Sequence, residues 1–300
     1  MGNSKNPVLL DGKKTSDQLK ASIQIKAQTL TSLLGRPPGL AAVLVGNDGA
    51  SATYVAAKMK ACAACGIHSF TVHLPEDIAE EELLQEIEKL NHQEHVDGFI
   101  VQLPLPKHIS VERVTEAIRP EKDVDCFHPD NVGRLTLGRP RFLPATPGGI
   151  ITLFNHYHIE TEGRHVVVLG RSHIVGLPMT LLLAAPGAGG NATVTVCHSR
   201  TQNLEHHMQQ ADILIAAIGK PAFVQAHHVK PGAVVVDVGI TRVPDNTAPR
   251  GYRLLGDVDF PKVAPKCSAI TPVPGGVGPM TIITLLSNTL EAASRNMNRL

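Results

Sequence analysis

The run Arg164-His-Val-Val-Val-Leu-Gly-Arg-Ser-His-Ile-Val-Gly176 is an apolar strand that feeds a tight turn at the mouth of a helix. Arg164 to Leu169 has the unbroken β-branched character of a strand buried on both faces in a parallel sheet. Gly170-Arg-Ser-His-Ile-Val-Gly176 then turns, and the segment through Ala185 reads as a helix. A turn in that place exposes backbone N–H groups, and the helix N-terminus adds positive potential, which together suit a pyrophosphate. The spacing departs from G-x-G-x-x-G, so the reading rests on position between strand and helix. The plain alternative is a doubly wound domain that binds no nucleotide.

The next strand, Ala192 to His198, follows a glycine-rich loop, Pro186 to Asn191, and ends Val196-Cys-His-Ser-Arg200. A site selective for NAD places a carboxylate at this strand end to hold the ribose hydroxyls. None stands here. Arg171 and Ser199, with Arg200 as a further candidate, offer charge-assisted bonds to a 2′-phosphate instead, which favours NADP.

On both sides of this run the α/β alternation continues. Before it come a helix over 15–34 with Thr15 or Ser16 as cap, a strand over 39–45, and a helix capped by Ser51 running to Cys65. Then come a strand over 68–74, an acidic helix over 81–90 and a strand over 96–103. After it, 202–210 reads as helix, with strands over 212–218 and 233–238. Alternating elements of this kind build parallel sheets covered on both faces. Three hundred residues suit two such domains. Pro144-Ala-Thr-Pro-Gly-Gly149 sets the boundary, followed by a bridging helix over 150–158. The expected division is 1–148, joined by a returning segment over 280–300, and 149–279.

Ile270-Thr-Pro-Val-Pro-Gly-Gly-Val-Gly-Pro-Met-Thr281 places three prolines and three glycines in twelve residues, ahead of the apolar segment 282–290. Fixed φ at proline and free φ at glycine specify a stiff loop of defined shape. Thr281 is the expected cap of the helix that follows. A rigid loop at a helix start suits a ligand whose backbone contacts must be placed accurately; an ordinary strand-to-helix turn is the plain alternative.

Tyr54 and Lys58 stand four apart on one helix and so share a face. An aromatic ring can stack on a flat ligand while the amine moves protons beside it. Gln102 lies at the C-terminal end of its strand, where open α/β sheets place ligands. Asp125 follows in a polar connection, 123–134. An amide and a carboxylate near a lysine can read the donors and acceptors of a heterocycle. Each also has a structural reading: a solvated lysine beside a core tyrosine, a glutamine serving backbone groups, a turn aspartate.

Composition excludes other classes. Charged residues make up 18% and the net charge is +1, which argues against nucleic acid or a membrane surface as the main partner. No apolar run is long enough to span a bilayer, and the N-terminus lacks the apolar stretch of a secretory signal, so a cytoplasmic protein is expected. Five cysteines do not make a complete disulfide framework; Cys62-Ala-Ala-Cys65 lies in an alanine-rich helical pattern and reads as packing. The doublets His206-His207 and His227-His228 read as exposed residues, and no metal site is expected.

As a set, the motifs resemble the bifunctional methylenetetrahydrofolate dehydrogenase/cyclohydrolase enzymes. The resemblance rests on Tyr54-Val-x-x-Lys58, Gly98-Phe-Ile-Val-Gln-Leu-Pro-Leu-Pro106, Lys122-Asp-Val-Asp-Cys-Phe-His-Pro129 and Gly170-Arg-Ser-x-Ile-Val-Gly-x-Pro178. It continues through Ala192 to Thr201, Val236-Asp-Val-Gly-Ile240, Gly256-Asp-Val-Asp259 and Pro274-Gly-Gly-Val-Gly-Pro-Met-Thr281, in family order over nearly the whole chain. It implies two α/β domains with a cleft between them, the second Rossmann-like with a doubly wound parallel sheet, and a last helix returning to the first. It implies NADP-dependent oxidation of 5,10-methylenetetrahydrofolate to the 5,10-methenyl form, then hydrolysis to 10-formyltetrahydrofolate, by a homodimer. A single-activity relative or a non-catalytic nucleotide binder of the same fold are the alternatives. By the resemblance, the catalytic lysine falls on Lys58, its supporting glutamine on Gln102, the pterin-reading aspartate on Asp125 and the stacking tyrosine on Tyr54. Val55, Val101, Leu103 and the loop Pro274, Gly275, Gly276, Val277 and Gly278 line the folate side; Gly170, Arg171, Ser172, Ser199 and Ile240 line the NADP side. Where the family often carries cysteine in Pro-x-Thr-Pro, this chain has Ala145, which rules out covalent chemistry at that position.

Overall fold

The computed structural model describes residues 6–248 and 251–297. In chain order the elements are β1 (Val8–Leu9), α1 (Gly12–Leu34), β2 (Gly39–Val45), α2 (Gly49–Ala64), β3 (His68–Leu74), α3 (Glu80–His92) and β4 (Gly98–Val101). Next are α4 (Val111–Ala117), α5 (Pro129–Thr136), α6 (Ala145–Tyr157), β5 (His165–Leu169), α7 (Gly176–Ala184), β6 (Thr193–Cys197), α8 (Leu204–Gln210) and β7 (Ile213–Ala216). The chain ends with β8 (Val234–Asp237), β9 (Thr241–Pro244), β10 (Tyr252–Leu255), α9 (Phe260–Val263), β11 (Ala269–Ile270) and α10 (Val277–Met297).

Contacts divide these into two compact units, cut after Ser16, after Ala145 and after Thr281. One holds a six-stranded sheet in the order β1-β11-β8-β7-β5-β6, parallel at every pairing. Its strands are apolar on both faces: Val166, Val167 and Val168 and Ile213, Leu214 and Ile215 are buried, with Ile150, Phe154, Met179 and Leu183 against one side. Met208, Val224 and Val263 pack with the other set. The other unit holds the parallel sheet β3-β2-β4. Helix α10 passes from the first unit into the second, where Ile283, Leu286 and Leu290 join the core with Leu40, Ala42, Val55 and Ile100. This is the Rossmann-like α/β architecture with a returning C-terminal helix.

Several local expectations change. The first domain was expected to begin at the N-terminus, but the described residues through Ser16 cluster with the six-stranded sheet, because Val8 and Leu9 pair with Ala269 and Ile270 at its edge. Helix α1 starts earlier than 15: the Asp11 carboxylate accepts the Lys14 N–H, and the Thr15 hydroxyl donates back to Asp11 O, so neither Thr15 nor Ser16 is the cap. In α2 the cap is Asp48, whose carboxylate accepts from Ser51 N at 2.7 Å. Thr281 lies inside α10, with its hydroxyl within 3.1 Å of Thr146 Oγ1. The punctuation at 144–149 is the first turn of α6, where Pro147 needs no N–H partner. A Cβ on Gly149 would come within 2.8 Å of the Met280 backbone, so α6 and the start of α10 meet through this glycine. All five cysteines are free and buried, and burial pushes the Cys62 thiol up to about 12, leaving it an inert packing residue.

Candidate active site

In the unit built on β3-β2-β4, Lys58 and Gln102 meet. Lys58 sits on α2 with Val55 one turn before it, and Val55 packs into the core while Lys58 is only 9% exposed. Its Nζ donates to Gln102 Oε1 at 3.1 Å. Gln102 follows β4 directly and is held from two sides: its N–H donates to Val43 O, and its Nε2 donates to Leu103 O at 2.7 Å. The amide is therefore oriented with oxygen toward the ammonium. Among the described residues no carboxylate pairs directly with Lys58. Tyr54, on the same face of α2, is 37% exposed, so its ring is presented while the lysine is sheltered. Val101 is buried and Leu103 half-buried, flanking Gln102.

Asp125 is placed by a loop with its own framework. Phe99 N–H donates to Lys122 O, and residue 123 bridges Phe99 in parallel register, so the 122–125 segment runs beside β4. Gly98 permits the approach; a Cβ there would fall 2.3 Å from Val124 Cγ1. The buried Asp123 carboxylate then accepts from Cys126 N (3.1 Å), His128 N (2.8 Å) and Asn131 Nδ2 (2.8 Å), curling the chain through a left-handed Cys126 with φ 67°. From α10, Asn288 Nδ2 donates to Val124 O and to Leu143 O, both at 2.8 Å. Asp125 itself makes no hydrogen bond among the described residues. Burial pushes its carboxyl up, the Lys58 charge opposes this, and the Asp123 charge adds to it. The polar connection expected over 123–134 contains helix α5 from Pro129, capped by His128 Nδ1 on Asp130 N.

In the other unit, the turn after β5 has the shape a phosphate loop needs. Gly170 has φ 115°, and a Cβ there would lie 2.2 Å from Ala217 O; a Cβ on Gly176 would lie 2.2 Å from Gly170 O. Only glycine permits either approach. The Ser172 hydroxyl accepts from Val175 N and Gly176 N, closing the turn onto α7. Arg171 is exposed, as are Ser199 and Arg200 past β6, and neither guanidinium makes an ion pair among the described residues. This cradle and these free cations fit a dinucleotide bearing an extra phosphate. Ile240, past β8, is 42% exposed. The 272–276 loop presses against the start of α1: a Cβ on Gly12 would fall 1.8 Å from Gly276 O, and Lys13 N–H donates to Gly275 O at 2.8 Å. Pro274 is cis, Gly275 has φ 103°, Val277 is buried and Gly278 lies in the first turn of α10. Glu205, His227 and His228 bring ligand atoms within 4.8 Å of one another, but His228 Nδ1 already accepts the Gln225 N–H as a cap.

Sequence reasoning gave no role to Asp123, Asn288, Asp237 or Asp257. The first stands two residues before Asp125 in a quoted motif, and the last two lie in quoted motifs; Asn288 carried no local signal.

Comparison with known proteins agrees across the chain. Family models described as the catalytic domain and the NAD(P)-binding domain of tetrahydrofolate dehydrogenase/cyclohydrolase match residues 10–125 and 144–297. A bifunctional protein FolD from Cytophaga hutchinsonii is 59% identical over 286 residues, covering 95% of this chain and 99% of that protein. The crystal structure of the bifunctional FolD enzyme of Campylobacter jejuni is similar at 48% identity and TM-score 0.89, over 98% of this chain and 99% of that one. The Trypanosoma brucei FolD structure, complexed with NADP cofactor and inhibitor, is 40% identical with TM-score 0.93, over 97% and 99%.

Proposed function

The chain belongs to the tetrahydrofolate dehydrogenase/cyclohydrolase family, and on that footing we propose how its residues carry out the two reactions. It is an NADP-dependent methylenetetrahydrofolate dehydrogenase and methenyltetrahydrofolate cyclohydrolase. NADP⁺, when bound, takes a hydride from the folate methylene. Gly170, Ser172 and the α7 N-terminus hold the pyrophosphate; Arg171 and Ser199, with Arg200, take the 2′-phosphate; Ile240 lines the same side. Tyr54 stacks on the pterin and Asp125 accepts from its N–H donors. Val55, Val101, Leu103 and the Pro274–Gly278 loop shape the folate side. The folate half is assigned to 1–148 with 280–300 and the NADP half to 149–279, adjusted by the N-terminal strand described above.

The observation that carries the hydrolytic half is the Lys58–Gln102 hydrogen bond in a sheltered place. Water adds to the cationic methenyl carbon, and the bond from that carbon to N5 breaks. Both protons leave the water oxygen, which becomes the formyl oxygen: one reaches N5 and the other is released to solvent. Lys58 moves these protons, and Gln102 Oε1 fixes the direction of the amine. The low exposure of Lys58 keeps bulk water from competing for that proton.

Purified protein given 5,10-methenyltetrahydrofolate without dinucleotide should clear it well above the uncatalysed rate; a rate equal to the blank rejects the hydrolytic half. The reading also carries a cytoplasmic homodimer, supported by the family expectation; a monomer by sedimentation at micromolar concentration rejects the latter. No helix among the described residues is long and apolar enough to cross a membrane.

A further inference from the structure

Two carboxylates in the six-stranded unit are left without a role above. Asp237 ends β8 and Asp257 follows β10, and both are buried. Asp237 Oδ1 accepts from Gly239 N (3.0 Å) and Asp257 N (2.8 Å), and its Oδ2 accepts from Val258 N (3.0 Å). Asp237 thereby fastens the 257–258 segment to the end of β8. Asp257 Oδ2 in turn accepts from Ile218 N (2.7 Å) and Gly219 N (3.0 Å), just past β7. Its Oδ1 is buried without a hydrogen-bond partner. Glycines make the arrangement sterically possible: a Cβ on Gly239 would lie 2.3 Å from Asp257 Oδ1, and one on Gly256 would lie 1.9 Å from Asp237 Oδ2.

Sheet order says what this brace is for. Strand β5 carries the phosphate turn; β6, with Ser199 and Arg200 at its end, lies on one side, and β7 then β8 on the other. A dinucleotide with its pyrophosphate at the β5 turn and its 2′-phosphate toward β6 extends its nicotinamide half over the ends of β7 and β8. Those ends are Ile218-Gly219 and Val238-Gly239-Ile240, the two segments that the carboxylates hold. We propose that Asp257, gripped through its backbone by Asp237, is a positioning residue for the nicotinamide half of the dinucleotide. The inference rests on the NADP reading of this unit.

The pair also gives the binding a pH dependence. The charged group facing Asp237 is Asp257; its other carboxylate partners are the backbone N–H groups of Gly239, Asp257 and Val258. Asp257 faces Asp237 and the N–H groups of Ile218 and Gly219. No cation is among these partners. Burial, with the Asp257 charge adding to it, pushes the Asp237 carboxyl up to about 7. Below that pH the Asp237 carboxyl is neutral; above it Asp237 carries a charge that burial and the neighbouring Asp257 carboxylate both oppose, which loosens the segments it holds. NADP⁺ affinity should fall as pH rises through about 7.

The test is calorimetric titration of the full chain with NADP⁺ from pH 6 to 8.5, with methenyl hydrolysis measured without dinucleotide as the folding readout, since Lys58, Gln102 and Asp125 lie in the other unit. Asp257→Ala should weaken NADP⁺ binding tenfold or more while hydrolysis persists. Asp257→Asn keeps one oxygen for Ile218 N and Gly219 N; it should bind more tightly than Asp257→Ala and show a smaller decline, at lower pH, than wild type, because burial of Asp237 remains while the neighbouring charge is gone. The 2′-phosphate titrates alike in both proteins, so the difference between them is the signal. Wild-type affinity in an Asp257→Ala chain that still hydrolyses overturns the proposal. If that variant loses hydrolysis too, Asp257→Asn decides: wild-type affinity with an unaltered pH profile overturns it, and weakened or flattened binding with hydrolysis intact upholds it. A wild-type chain that fails to bind NADP⁺ would overturn the NADP reading beneath the proposal, and the proposal with it.

Discussion

Replacing Lys58 by Met removes the ammonium and keeps most of the volume of the side chain. Lys58 is 9% exposed and its described hydrogen bond goes to Gln102 Oε1 at 3.1 Å. Two effects on stability oppose each other: the amide oxygen loses its donor, and an ammonium no longer has to be held out of water. Hydrogen bonds to charged groups contribute ~1.5–3 kcal/mol, and relief of desolvation offsets much of that, so the fold should change by no more than about 1 kcal/mol. Catalysis has no such offset. A positioned proton carrier contributes on the order of 10²- to 10⁴-fold, which is about 3–5 kcal/mol of barrier. Hydrolysis of methenyltetrahydrofolate, followed as loss of its absorbance, should fall by at least a hundredfold. Hydride transfer, followed as NADPH formation from the methylene substrate, depends mainly on orientation and should fall far less. Lys58→Met chains that hydrolyse within about twofold of wild type would remove the lysine from the mechanism.

Three further outcomes follow from the same geometry. Asp125→Ala removes a carboxyl that has no hydrogen bond of its own among the described residues, so KM for the folate should rise with little loss of stability; unchanged KM and kcat in steady-state assays reject the pterin-reading role. Arg171→Ala should cut the preference for NADP⁺ over NAD⁺ by roughly tenfold, the effect of losing one charge-assisted bond; an unchanged ratio of kcat/KM values removes Arg171 from 2′-phosphate recognition. Asn288→Ala leaves Val124 O and Leu143 O without their donor, which should cost ~1–3 kcal/mol in denaturant unfolding and also raise folate KM; a stable variant with normal KM contradicts the bracing of the 122–126 loop by α10.

The fold was legible because its strands are short apolar runs closed by glycine and proline, and the alternation with helices leaves a parallel sheet as the solution. The Gly170–Gly176 turn was legible from its place between an apolar strand and a helix; the close approach of Gly170 to Ala217 O, which leaves no room for a side chain, came from the structure. Lys58 and Gln102 are 44 residues apart, so nothing local announces their contact; they were located by motif, and the structure supplies the hydrogen bond. What escaped was long-range or marginal. β1 is two residues long and forms only because β11 offers an edge. The α1 cap is Asp11, which a helix start read at Thr15 or Ser16 overlooks. Asp237 and Asp257 meet through backbone N–H groups twenty residues apart, a pairing visible only once β8 and the segment past β10 are placed together. The β9–β10 hairpin, with its two four-residue strands, also went unread.

The central claim is that one chain both oxidises and hydrolyses the folate. It is tested most directly by giving the purified protein 5,10-methylenetetrahydrofolate with NADP⁺ and following NADPH and the methenyl chromophore as separate signals. The account predicts NADPH accumulating while methenyl stays low, because each methenyl formed is hydrolysed at the Lys58 site. NADPH with an equal rise of methenyl, or no NADPH at all, would contradict it.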